Sequence, residues 1–190
     1  ALRAWVDAAR STGAVLASDE CYGEFGWEAE PVSVLDPAIN GGSLEGLIAA
    51  FSLSKRSNLA GYRAGFLVGD APLIGELLAV RKHAGLMVSG PVQAVMATML
   101  ADTDQVTAQR EHYLARRAVR KPALEAAGFR IDHSEGSLYL WATRDEDCRA
   151  TVDWLAERGI LAAPGDFYGE AGRRHVRIAL TATDERIRTW

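Results

Sequence analysis

Apolar positions recur along this chain with two different periods. Leu2, Trp5, Val6 and Ala9 share one face at helical spacing, which predicts a helix from Leu2 to Ser11 that Gly13 stops. Ala14 to Ala17, Leu47 to Phe51 and Gly65 to Val68 are short apolar runs, each read as a buried strand. Pro31 to Gly46, rich in Pro, Gly, Asn and Asp, predicts a loop. Helices are predicted from Pro72 to Ala84 and from Pro91 to Ala101. A long charged helix spans Thr103 to Ala127, and Pro122 is expected to bend or interrupt it.

From Phe129 the character changes. Phe129 to His133 and Ser137 to Ala142 predict two strands joined at Glu135-Gly136. Asp147 to Arg158 predicts a helix with Val152, Trp154 and Leu155 apolar, and Ile160 to Ala163 a short strand. His175 to Leu180 alternates around Val176 and Ile178 as a strand does. A helix starts near Thr183 with Asp184 and Glu185 in its first turn, where the helix dipole favours negative charge. The expectation is an α/β region over residues 1–115 and a smaller α+β domain over 116–190, incomplete at its end, with the boundary inside the long helix. No internal repeat and no low-complexity tract is visible.

Composition narrows the classes. Hydrophobic residues make up 48% of 190 and charged residues 24%, which fits a soluble globular chain. Lys plus Arg number 21 against 25 Asp plus Glu, and a net charge of −4 weighs against nucleic acid or an anionic membrane as partner. Arg110, Arg116, Arg117, Arg120 and Lys121 on the long helix therefore read as a solvated face. No apolar run approaches the roughly 20 residues of a membrane span. Leu2 to Arg10 carries Arg3, Asp7 and Arg10, unlike a signal peptide. Small-molecule partners and a cytoplasmic location are expected. Cys21 and Cys148 are too few for a disulfide framework or a zinc set, and His83, His112, His133 and His175 lack metal-ligand spacing, so no metal is expected. The chain begins at Ala1 inside one predicted helix and stops at Trp190 inside another, which reads as a fragment.

The candidate chemistry follows the apolar strands, where open α/β sheets bind ligands. Asp19, Lys55 and Arg63 come after such runs, and small or hydroxylated residues surround the lysine. Together they suit pyridoxal phosphate. That cofactor needs an amine for its imine, an anion beside its pyridine nitrogen so that the ring can act as an electron sink, and donors with positive charge for its phosphate. Asp19 suits the nitrogen and Tyr22 the phenolic oxygen, while Ser52, Ser54 and Arg63 suit the phosphate. A hydroxyl beside the lysine can instead cap a turn, which makes Ser54 a weaker phosphate candidate than Ser52.

Ser52-Leu53-Ser54-Lys55-Arg56-Ser57-Asn58-Leu59-Ala60-Gly61-Tyr62-Arg63-Ala64-Gly65 resembles the cofactor-attachment signature of class I/II aminotransferases. Asp19-Glu20-Cys21-Tyr22 resembles the family's Asp-x-x-Tyr segment, and Val176-Arg177-Ile178-Ala179 its late strand with a carboxylate-binding arginine. The resemblance runs from about Ala14 to Ala182. It implies the fold-type-I transferase fold, with this chain supplying part of a large domain with a mainly parallel sheet plus a small α+β domain. It implies that Lys55 holds the cofactor and moves the proton at the substrate Cα. Asp19, Tyr22, Ser52, Ser54 and Arg63 would bind the cofactor, and Arg177 the carboxylate of donor and acceptor. Family chains are roughly twice as long and usually homodimers, so the fragment alone is expected to be inactive.

Glu20-Cys21-Tyr22, Leu78 to Gly85, Leu138 to Thr143 and Pro164-Gly165-Asp166-Phe167-Tyr168-Gly169 are similar to actinobacterial succinyldiaminopimelate aminotransferases. This implies transfer between glutamate and a succinylated amino-keto-pimelate, toward lysine and diaminopimelate. The alternatives are an aspartate or alanine aminotransferase, a β-lyase, or a non-catalytic remnant.

Overall fold

Backbone hydrogen bonding in the computed structural model, which describes residues 1–85 and 87–188, turns the predicted alternation into two units. The first comprises Ala1–Glu24 and Pro31–Thr107; the second comprises Phe25–Glu30 and the chain from Ala108 onward. The expected helical end at Trp190 lies outside the described residues.

In the first unit, α1 (Leu2–Thr12) buries Val6 and closes at Gly13, whose φ of 68° allows its N–H to reach the carbonyls of Ala9 and Arg10. β1 (Leu16–Asp19) runs parallel to β2 (Leu47–Ser52), with Asp19 opposite Ala50. β3 (Gly65–Gly69) runs antiparallel to β2, with Ser52 opposite Gly65. The mainly parallel sheet expected from sequence is thus one parallel and one antiparallel pair in this chain. The link from β2 to β3 explains it. It folds into a single turn, α3 (Leu53–Arg56), and a 3-10 turn at Ala60–Tyr62. The two short turns form no crossover helix to carry the chain over the sheet, so it returns antiparallel beside the strand it left. Gly69 permits the close return, since a Cβ there would lie 2.1 Å from the Leu47 carbonyl oxygen.

The segment predicted as plain loop contains a short helix, α2 (Pro37–Asn40), capped by Asp36, which accepts from the Ala38 N–H at 2.8 Å. Buried Asn40 donates to the Val34 carbonyl at 3.0 Å, and Glu20 accepts from the Val34 N–H at 2.9 Å. These bonds tie the loop to the residues just after β1. Two helices, α4 (Ala71–Ala84) and α5 (Gly90–Ala101), complete the unit without burying any of their residues.

A long helix, α6 (Asp104–Ala126), begins in the first unit and continues through the second. Pro122 does not interrupt it. One proline so near a helix end removes a single backbone bond, and buried Arg117, Arg120 and Leu124 hold the last turns in place. The second unit's sheet has the order β4 (Arg130–Asp132), β5 (Tyr139–Thr143), β7 (Val176–Ala179), β6 (Ala163–Pro164), all antiparallel. β6 starts later than the predicted Ile160, because the Ile160 N–H still closes α7 (Cys148–Ala156) by donating to Leu155 at 3.0 Å. A final short helix, α8 (Asp184–Arg188), begins where the acidic first turn predicted it.

Strand alternation gives this second sheet two different faces. Leu140, Ala142, Val176 and Ile178 point into the core and are buried, together with Leu124, Leu138, Leu155 and Leu180. Tyr139, Trp141 and Arg177 point the other way and stay partly accessible. Phe25–Glu30 joins this unit by pairing Gly26 with Gly136 and by setting the Phe25 ring edge-on to Tyr113 at 5.6 Å.

Candidate active site

Because β1 and β2 are parallel, their carboxyl ends emerge on the same edge of the first sheet. Asp19 ends one strand and Ser52 ends the other, and the chain then turns into α3 with Lys55 on it. Ser52 builds that turn: its Oγ accepts from the Ser54 N–H at 3.1 Å. The capping role considered for Ser54 therefore falls to Ser52.

Neighbouring residues anchor the turn on either side of the lysine. Leu53 is fully buried. Arg56 pairs with Glu24 at 3.1 Å and donates to the Met99 carbonyl at 2.9 Å, while buried Ser57 accepts from Gln105 at 3.0 Å. Lys55 itself is half-buried and has no hydrogen-bond or ion-pair partner among the described residues. A lysine held by its neighbours, with its amine left unpaired, is suited to covalent chemistry rather than to a surface salt bridge.

Asp19 is prepared as an anion. A bond from the Cys21 thiol and another from the Cys21 N–H, at 3.1 Å, hold its carboxyl below the usual carboxylate range, against a smaller opposing effect of burial. The Cys21 thiol is in turn pushed up to about 11, first by burial and then by Asp19, while the Lys55 charge pulls the other way.

A cavity of about 620 Å³ opens here, lined by Asp19, Cys21, Tyr22, Phe51, Ser52 and Phe66 among others. Its size falls within the usual range for small-ligand sites. Lys55 and Ser54 do not line it, and Arg63 lines a second cavity of about 550 Å³. Phe51 and Phe66, stacked at 5.3 Å, line both cavities. Arg63 sits at the end of the 3-10 turn with φ 53° and donates to the Ala60 carbonyl at 2.9 Å; no carboxylate of the described residues pairs with it. The donor set suits pyridoxal phosphate: an ionised carboxylate for the pyridine nitrogen, an unpaired amine, hydroxyls at a turn, and an arginine without a counter-ion.

Arg177 belongs to the second unit, on β7. Its Cζ lies 4.1 Å from the centre of the Tyr139 ring and 5.0 Å from that of Tyr168, and no described carboxylate pairs with it. Sequence reasoning passed over Cys21, Tyr139 and Tyr168. Tyr139 had a signal, since strand alternation puts it on the same face as Arg177. Tyr168 stood only within a segment quoted for its family likeness, and no periodicity ties a turn residue to a strand partner.

A family profile described as aminotransferase class I and II matches residues 1–189. A 4-dedimethylamino-4-oxo-anhydrotetracycline transaminase of Streptomyces rimosus is 62% identical over 98% of this chain and 52% of its own length. A protein of Mycobacterium tuberculosis named probable aminotransferase is 60% identical over 98% of this chain and 44% of its own. A solved structure from Thermus thermophilus, named probable N-succinyldiaminopimelate aminotransferase, superposes with a TM-score of 0.85 at 28% identity over 98% of this chain and 50% of that one. The chain spans about half the length of the relatives it matches.

Proposed function

This chain belongs to the class I and II aminotransferases, a family with the fold-type-I architecture and pyridoxal phosphate as cofactor, and on that footing we propose that it transfers an amino group between an amino acid and a keto acid, with Lys55 as the cofactor lysine. The observation that carries this reading is the unpaired Lys55 amine on a turn that opens from the same sheet edge as the ionised Asp19.

When bound, pyridoxal phosphate supplies an electron sink that stabilises negative charge at the substrate Cα. Asp19 would keep the pyridine nitrogen protonated, and Tyr22 would donate to the phenolic oxygen. Ser52, Ser54 and Arg63 would hold the phosphate. Lys55 would hold the cofactor and act as the general base that takes the proton from the substrate Cα and returns it to the cofactor carbon. Arg177 grips the α-carboxylate through its N–H edge, a bidentate contact that orients the bond to be broken.

Glutamate as donor and a succinylated amino-keto-pimelate as acceptor form the preferred substrate pair, supported by likeness to the Thermus protein and by the segments quoted above. A second reading, a polycyclic ketone as acceptor, is favoured by the 62% identity to the Streptomyces transaminase. The complete protein acts in the cytoplasm as a homodimer. The test uses the complete gene product loaded with pyridoxal phosphate. Borohydride reduction followed by peptide mass spectrometry should find the cofactor on Lys55, and kcat/KM for the two acceptors separates the substrate readings. Cofactor mass on another lysine refutes the assignment.

A further inference from the structure

Arg177 is an unusual arginine for a protein surface. It is half-buried, lacks a carboxylate partner among the described residues, and has two tyrosine rings instead. Each ring is held by something other than Arg177. Tyr139 stands on β5, diagonal to Arg177, because Trp141 is its direct cross-strand partner and Tyr139 pairs with Ala179. The core residues between them, Leu140 and Ile178, are buried and fix the strand register.

Tyr168 ends a 3-10 turn, Gly165–Tyr168, that is tied down at its start by the Gly165 N–H donating to the His175 carbonyl at 2.8 Å. Arg149 grips Asp166 in that turn with two bonds of 2.9 Å. The turn can lie this low only because residue 165 is glycine: a Cβ there would fall 2.1 Å from the Gly172 carbonyl oxygen and 2.9 Å from the Trp141 ring. Trp141 meets Tyr168 edge-on at 5.8 Å and stacks on His175 at 5.1 Å, and His175 bonds Asp132 at 2.9 Å. The tyrosine is therefore the end of a row braced across the whole sheet face.

We propose that Tyr139 and Tyr168 are positioning residues, which hold the Arg177 guanidinium by cation–π contact so that its N–H edge stays free for a substrate carboxylate. This rests on Arg177 being the carboxylate ligand. The chemical reason for rings is that they attract the cation through their quadrupole without supplying a competing anion. A carboxylate in their place would occupy the N–H groups that the substrate needs. Rings also settle the rotamer when the protein folds rather than when substrate arrives, so less freedom is lost on binding.

The experiment takes the complete, cofactor-loaded gene product and compares Tyr168→Leu and Tyr139→Leu with Tyr168→Phe, Tyr139→Phe and Arg177→Ala. Maleate, an unreactive dicarboxylate, is titrated calorimetrically, and KM and kcat are measured for donor and acceptor. The leucine variants should weaken maleate binding and raise KM for both substrates by about tenfold, with kcat nearly unchanged. The phenylalanine variants, which keep the ring faces, should recover most of that loss. Tyr168 is 51% exposed, so Tyr168→Leu leaves folding intact and decides the matter even if a Tyr139 variant does not fold. Maleate affinity unchanged in Tyr168→Leu, or lost equally in Tyr168→Phe, overturns the positioning role. Arg177→Ala with unchanged maleate affinity overturns the carboxylate-ligand reading itself, which is a separate result.

Discussion

In the second unit Leu140, Ala142, Val176 and Ile178 form one buried face of a sheet, whereas in the first unit β3 buries none of its residues and neither do α4 and α5. The residues proposed for chemistry are held differently in the two units. Arg177 lies between two core residues, so its strand cannot shift without breaking the packing. Asp19 and Ser52 stand at strand ends whose placement comes from the backbone ladder and from the turn around Lys55. On the proposed roles, recognition rests on a residue fixed between core neighbours, and reactivity on residues at strand ends and on a turn pinned by Leu53.

The largest effect expected from this contrast is kinetic. In the complete, cofactor-loaded protein, Lys55→Ala should lower kcat by at least about a thousandfold, since the general base and the cofactor link proposed for Lys55 are lost together. Arg177→Ala should raise KM by about ten- to a hundredfold for donor and acceptor alike, the value of a charge-assisted contact, and lower kcat through lost orientation by far less than Lys55→Ala does. Steady-state rates with both substrates decide it. A kcat defect in Arg177→Ala as deep as that of Lys55→Ala would erase the division of labour.

A second contrast concerns stability of this 190-residue chain. Leu140 is fully buried, and Leu140→Ala should cost about 2–5 kcal/mol. Leu67 on β3 is 41% exposed, and Leu67→Ala should cost under about 1 kcal/mol. Urea unfolding followed by fluorescence measures both. Hydrogen exchange sharpens the same comparison, with amides of α4 and α5 expected to exchange sooner than those of β5 and β7. Equal costs at Leu67 and Leu140 would show that the first sheet is packed as firmly as the second.

Much of this was legible in the residues, and what was hidden has physical causes. Asp19, Ser52 and Lys55 stood out because each follows an apolar run, and the parallel pairing of β1 with β2 brings their ends to one edge. The antiparallel return of β3 was hidden, because strand direction depends on how the link folds and not on the strand's own pattern. The excursion of Phe25–Glu30 into the second unit was hidden as well. It rests on a bridge between Gly26 and Gly136, distant in the chain and without side chains to advertise the contact. Pro122 misled because local propensity is a weak prior once Leu124 and its neighbours are buried. Tyr168 reached Arg177 through a turn, where no periodicity operates.

The smallest effect is electrostatic and belongs to the braced face of the second unit. Bonds from Arg130, then from His175, hold the Asp132 carboxyl down at about 2. An unfolded aspartate titrates near 3.9. The folded state therefore prefers the ionised form, and the contribution is complete above the unfolded value and fades as the pH falls from about 4 toward 2. Asp132→Asn should lower the thermal midpoint slightly at neutral pH, because Arg130 at 3.0 Å and His175 at 2.9 Å lose their anion. The gap from the parent should close as the pH approaches 2, where the parent carboxylate has also become protonated. Asp132 retains access to solvent, so screening keeps the gap modest, and added salt should narrow it further. Thermal melts across that pH range make the comparison. A gap that stays constant down to pH 2 would mean that Asp132 braces the row by its shape and not by its charge.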